Sequence, residues 1–352
     1  MIRGNNLQES TKKRIIAIEL IILVLLSTVI IFINQNKFGN VFSQPEPDTS
    51  QDDSFKEDEG MDLTTENVIE MIPQLDESLI LGYIEKLVSF GPRVTGTKAI
   101  EDVGDYIFME FQSMGLEVRY QSWREWVPIL GKPWKWFGWY SGKNIEATLP
   151  GTDESSDEIY VMIAHYDSWR RSSAADDDGS GVAAVLSAAK LMSQYSFNHT
   201  IRFVIVSGHE QGLLGSYNYV NEARNNNDNI VVTLCVDMIG YPGPDDRDDE
   251  LRVFENEPSR WITDFTIDVN QRYSEYLNLE IIRVDDPSGH GSDYLNFWDF
   301  DFDTVFYHEI IMSDYRHTPE DTIENMDVAY ATKISKLVMA TFAEFAWDNH
   351  NE

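Results

Sequence analysis

The chain has 352 residues, enough for one large domain or two modest ones. Its 60 acidic and 27 basic residues give a net charge of -33, which repels nucleic acid and disfavours a phosphate-binding role. A lone cysteine, Cys235, excludes a disulfide framework or a thiolate metal site within the chain, so any metal must be held by His, Asp and Glu.

In chain order, the first feature is the apolar run IIAIELIILVLLSTVIIFI at 15–33. At 1.5 Å per residue it spans roughly 28 Å, about the hydrocarbon thickness of a bilayer. Its one charge, Glu19, lies near an end, within reach of the headgroups. Lys12, Lys13 and Arg14 precede the run and only Lys37 follows closely. The positive-inside rule therefore predicts a single-pass cell-membrane protein: residues 1–14 cytoplasmic, 15–34 a transmembrane helix, and the remainder extracellular. The run is long for a cleaved signal peptide and no clear small-x-small site follows it. Residues 35–64 include QPEPDTSQDDSFKEDEG and read as a disordered acidic linker. A folded domain is expected over 65–352.

Residues 76–115 read as helical, interrupted by the turn-rich SFGPRVTGT. The stretch 122–140, SWREWVPILGKPWKWFGWY, carries five of the nine tryptophans. It is expected to form a β-hairpin whose rings cover a sheet edge; the functional alternatives are an aromatic substrate wall or a membrane-surface patch. It lacks the basic groove that nucleic-acid stacking requires. β-Branched runs predict strands at 159–164, 201–206, 230–236 and 304–307. Helical patterns cover 181–193, 214–223, 262–277 and 328–347. Strands alternating with helices imply an α/β domain, a three-layer sandwich around a central mixed, mostly parallel sheet. Asn198-His199-Thr200 is a glycosylation sequon if the domain lies outside the cell.

In such sheets ligands bind beyond the carboxyl ends of the strands. There the first predicted strand runs into His165-Tyr166-Asp167, the second into His209-Glu210, and the third into Asp237. A buried run ending in a charged or imidazole group is costly unless that group is satisfied, and several converging on one edge suggest a shared ion. Asp176-Asp177-Asp178, just before a small-residue helix, repel one another and need a cation or full solvation. His317 sits in the loop Tyr315-Arg316-His317-Thr318-Pro319 before the last helix. No nucleophile elbow surrounds 208–212, and no P-loop or dinucleotide fingerprint occurs.

The segments AHYDS, AADDDGSG, HEQGLLGS, VDMIG and RHTPEDT, in that order, resemble the co-catalytic zinc aminopeptidases. This family includes the bacterial leucyl aminopeptidases and is related to the glutamate carboxypeptidases and glutaminyl cyclases. The resemblance spans about 75–348 and implies two zinc ions per chain and peptide substrates. It implies that His165 and Asp237 bind one ion, Glu210 and His317 the other, and that Asp177 bridges them. Asp167 would orient His165, and a metal-activated water would attack the peptide bond. The chain departs from the family at the general base: the usual glutamate is replaced by His209. His209 as the base, His209 as an extra ligand or loop residue, and a non-catalytic metal-binding ectodomain are the three readings. The expected activity is removal of N-terminal residues from extracellular peptides; a carboxypeptidase or glutaminyl cyclase relative is the alternative enzyme. His290 and His308 stand near the same site, and a structural role is expected for each.

Overall fold

The computed structural model describes residues 63–128, 137–245, 247–285 and 291–347. The predicted anchor, nearly all of the acidic linker and His290 lie outside these residues. Among the described residues, no helix is long and apolar enough to cross a membrane.

Helices α1 (Leu63–Met71), α2 (Glu77–Val88) and α3 (Lys98–Ser113) lead into a hairpin of β1 (Glu117–Pro128) and β2 (Phe137–Leu149). Then follow β3 (Glu158–His165), α4 (Gly179–Met192), β4 (Thr200–Val206), α5 (Leu214–Asn226) and β5 (Asn229–Val236). The chain continues through β6 (Glu250–Glu255), α6 (Arg260–Arg272), β7 (Glu280–Asp285), α7 (Tyr294–Asp299), β8 (Thr304–His308) and α8 (Val328–Trp347). The eight strands form one sheet in the order β1-β2-β4-β3-β5-β8-β6-β7. Its centre, β4-β3-β5-β8, is parallel. Antiparallel joins at β1/β2, β2/β4 and β6/β8 make the whole sheet mixed, as expected.

Strand β3 shows why these runs read as continuously apolar. Tyr160, Met162 and Ala164 enter the core under α1–α4, α6 and α8, while Ile159, Val161 and Ile163 enter a second core with α5 and α7. Both faces are covered, so neither alternate position can be polar. Phe203 of β4 is fully buried between Phe111 of α3 and Phe342 of α8. Burial of such a ring contributes about 1.5–3 kcal/mol.

The four predicted strands form, each within about one residue of its expected bounds. Strands β6 and β7 were not evident in the sequence, because Glu250, Arg252, Glu255, Arg283 and Asp285 interrupt short apolar stretches. The described parts of the tryptophan-rich stretch, 122–128 and 137–140, pair as the two strands of the expected hairpin, while Trp134 and Trp136 lie outside the described residues. Trp123 is buried, whereas Trp126 and Trp139 stay exposed and pack on one another at 5.3 Å. The Asn198 amide donates to the Trp347 carbonyl, so this sequon is engaged in packing against the last helix.

Helix α4 positions the site. It is buried almost all round, so it carries no polar stripe. Glycine is required at its first turn: a Cβ on Gly181 would come within 2.3 Å of both an Asp178 carboxylate oxygen and the Val236 carbonyl. That close approach brings the DDD segment against the carboxyl ends of β3 and β5.

Candidate metal centre

His165 ends β3, Asp237 directly follows β5, and Glu210 lies in the loop after β4. Asp177 comes from the turn before α4, and His317 from the loop after β8 with a left-handed φ of 63°. His165 Nε2 lies 3.4 Å from Asp177 Oδ1 and 3.6 Å from Asp237 Oδ1. His317 Nε2 lies 3.2 Å from Asp177 Oδ2 and 3.1 Å from Glu210 Oε2. Asp177 thus presents one oxygen to each side. The donors form two groups, His165-His209-Asp237 and Asp177-Glu210-His317, each with its atoms within 4.8 Å of one another.

His165 Nε2, Asp177 Oδ2, Glu210 Oε1 and Asp237 Oδ1 are buried and make no hydrogen bond among the described residues. The short N···O separations above are poorly aligned for hydrogen bonds, the pattern of donors aimed at a common centre. Each such orphaned group costs about 1–3 kcal/mol, more when charged, and a cation between them removes that cost. Imidazole and carboxylate donors with no thiolate fit zinc.

The electrostatics agree. Burial alone would lower the His165 pKa, but Asp237, Asp167 and Asp177 hold it well above the usual value. His317 is likewise raised to about 9, against the effect of burial, by Asp177 and Glu210. Behind Asp177, burial raises Asp176 to about 7 and Asp321 to about 6.

A frame of main-chain contacts holds the donors. Asp178 accepts from the amides of His165, Gly181 and Met238, tying β3, α4 and β5 together. Asp321 accepts from the amides of Asp176 and Asp177. Arg93, fully buried, donates to the carbonyls of Tyr166, Ser173 and Ala174 and supplies a cation to this acidic layer. Asp167 contributes through both of its parts. Its main-chain carbonyl meets His165 Nδ1 at 3.1 Å, whereas its carboxylate accepts the amides of His209 and Glu210.

His209 Nδ1 lies 3.0 Å from Asp293, which also accepts from the Ser216 hydroxyl. With Nδ1–H donated to Asp293, Nε2 is left as the acceptor beside the donor cluster. The His209 and His165 rings stack 3.7 Å apart at 12°. Nearly parallel rings do not aim their in-plane lone pairs at one ion about 2 Å from each nitrogen. His209 nonetheless falls in one donor group with His165 and Asp237.

Arg93, Asp293, Ser292 and Asp321 were not singled out from the sequence, and Asp178 only as part of the aspartate triplet. Arg93 lies in the SFGPRVTGT loop and Asp293 in a loop of small residues, and neither belongs to a periodic pattern. Ser292 donates to Asp237.

His308 is structural, as expected: its Nδ1 meets the carbonyls of Asp237 and Met238 at 3.1 and 3.0 Å. Burial pushes its pKa down from 6.5 to about 4. The unfolded chain therefore takes up this proton first as pH falls, and the folded state loses stability from about 6.5 down to about 4. His308→Gln keeps a donor but does not titrate. Over this window the wild type is expected to lose up to about 3 kcal/mol more stability than His308→Gln, measured by denaturation at each pH. Parallel acid profiles would refute this.

Residues 144–342 match peptidase family M28, more than half of the chain. The chain is 30% identical over 202 residues to a protein of Pyrenophora tritici-repentis named "Probable zinc metalloprotease", covering 52% of this chain and 46% of that protein. It therefore spans about half the length of this curated relative. The fold matches that of the Legionella pneumophila LapA aminopeptidase with a TM-score of 0.67 at 21% identity, covering 85% of this chain and 78% of that one. It also matches BSAP, a zinc aminopeptidase from Bacillus subtilis, with a TM-score of 0.67 at 17% identity, covering 79% and 97% of the two chains. This chain belongs to peptidase family M28, in agreement with the family resemblance carried by its motifs.

Proposed function

We propose that this chain is an exopeptidase that uses two zinc ions, an aminopeptidase removing N-terminal residues from peptides outside the cell. The observation that carries this reading is the pair of donor groups adjoining through Asp177, with orphaned atoms of both aimed inward. The assigned ligands are His165 and Asp237 on one side, Glu210 and His317 on the other, and Asp177 between them. Zinc held by these residues would supply Lewis-acid polarisation of the scissile carbonyl and a water of lowered pKa. His209 Nε2 takes the proton from the attacking water and delivers it to the leaving amine. Asp293 holds His209 in the tautomer that leaves Nε2 free, and Asp167 holds the amides of His209 and Glu210. The apolar run at 15–33, with Lys12, Lys13 and Arg14 before it, supports a membrane anchor that holds the domain outside the cell.

The test counts zinc in the purified full-length chain and measures turnover of amino-acid p-nitroanilides. About two zinc ions per chain and turnover that chelation abolishes are expected. One zinc per chain would favour a glutaminyl cyclase. Two zincs with no turnover of any peptide substrate would leave a metal-stabilised binding domain and overturn the proposal.

A further inference from the structure

Thirteen arginines lie among the described residues of this acidic chain. Seven hydrogen-bond or ion-pair with carboxylates or main-chain carbonyls in the framework: Arg93, Arg119, Arg202, Arg247, Arg252, Arg272 and Arg283. Arg260 pairs with Asp285, Arg224 donates to the Phe300 carbonyl, and Arg124 lies over the Trp139 ring. Among the described residues, Arg170, Arg171 and Arg316 alone show no such contact. They are not scattered. Arg316 lines a recess of about 20 Å³ together with Asp177, His209 and Asp237. Arg170 and Arg171 follow Trp169, whose ring stacks on His317 at 4.9 Å and 17°. The three side chains thus belong to the two loops that meet at one side of the metal-type cluster.

In a chain with 60 carboxylates and 27 basic residues, Arg170, Arg171 and Arg316 are the arginines among the described residues left with neither a carboxylate, a carbonyl nor a ring as partner, and Arg316 lies beside the donor cluster. Arg316 shares its recess with Asp177 and Asp237 yet pairs with neither, because their oxygens turn towards the histidines. Its planar fork of donors stays available. A guanidinium is permanently charged, weakly hydrated and shaped for two parallel hydrogen bonds to a carboxylate. An uncharged peptide end would leave these donors unsatisfied.

We propose that Arg316, supported by Arg170 and Arg171, binds a substrate carboxylate beside the scissile bond, so that the site selects acidic or very short peptides. This rests on the exopeptidase reading and names its substrate class. The carboxylate has two sources: the free C-terminus of a dipeptide, or the side chain of an N-terminal Asp or Glu. Arg316, half-buried beside Asp177 and Asp237, binds the carboxylate, and the exposed Arg170 and Arg171 draw anions towards this side.

The test compares kcat/KM within matched pairs, using the zinc-loaded full-length chain. Ala-Ala against Ala-Ala-amide probes the C-terminal source, and Glu-p-nitroanilide against Gln-p-nitroanilide probes the side-chain source. In at least one pair the acid is expected to be preferred, and Arg316→Gln should cut that preference by about 10- to 100-fold, the size of a charged hydrogen bond. Arg316→Lys should retain part of it, and Arg170→Gln with Arg171→Gln should make it less sensitive to salt. A preference for the amide in both pairs, or an acid preference that Arg316→Gln leaves intact, overturns the proposal. If the wild type hydrolyses nothing, the exopeptidase reading fails, and binding decides this inference separately. Calorimetry with N-acetylglutamate and N-acetylglutamine needs no turnover. Tighter binding of the acid, lost in Arg316→Gln, supports the carboxylate site; equal binding of the two refutes it.

Discussion

Asp177→Ala is expected to abolish peptidase turnover and to leave the chain unable to hold its full complement of zinc. Asp177 is the one residue with an oxygen near each histidine, 3.4 Å from His165 Nε2 and 3.2 Å from His317 Nε2. Its loss removes a donor from both sides at once and leaves two cations facing each other without a shared anion. Even outer partners of metal ligands cost about 10- to 100-fold in metal affinity when removed, and a bridging ligand should cost more. The same substitution has a stability signature. Zinc at a thousand times its dissociation constant stabilises the wild type by about 4 kcal/mol, on the order of 10 °C in Tm for a domain of this size. Asp177→Ala should show little of that zinc-dependent rise. A variant that binds two zincs and shifts its Tm as the wild type does would remove Asp177 from the centre.

His209→Ala should have the second largest effect, and of a different kind. Turnover is expected to fall by about 10²- to 10⁴-fold, the usual contribution of a positioned acid or base, while about two zincs remain bound. Retained metal is expected because the five assigned ligands stay in place and Nδ1 of His209 is engaged by Asp293. His209→Glu should restore turnover, since a carboxylate at this position can accept the same proton. Asp293→Asn should lower turnover without loss of metal, because an amide no longer favours the tautomer with Nδ1 protonated. Loss of one zinc in His209→Ala would make His209 a ligand and overturn its role as the base. A silent wild type made active by His209→Glu would mean that the natural chain binds metal without turning over.

The central parallel strands, the position of the last helix and the residues at the strand ends were legible in the sequence for a common reason. A strand buried on both faces must be apolar throughout, so His165, Glu210 and Asp237 stand out where the run stops. Gly181 of α4 was equally visible, because no Cβ fits there between Asp178 and the end of β5. Strands β6 and β7 were hidden, since charged residues interrupt their short apolar stretches.

The supporting residues were not legible, because their partners are distant in the chain. Arg93 reaches carbonyls at 166, 173 and 174; Asp293 reaches His209; Asp321 reaches 176 and 177. No periodicity marks such contacts. The sequence by itself determined which His, Glu and Asp residues stand at the strand ends, their order and the class of fold, because burial and local spacing dictate those. Only the tertiary structure decided how the donors divide around Asp177, that His209 is paired with Asp293, and that Arg170, Arg171 and Arg316 stand without acidic partners. Those outcomes depend on which loops meet in space, and loops at the carboxyl edge of a sheet meet only once the strands between them have paired.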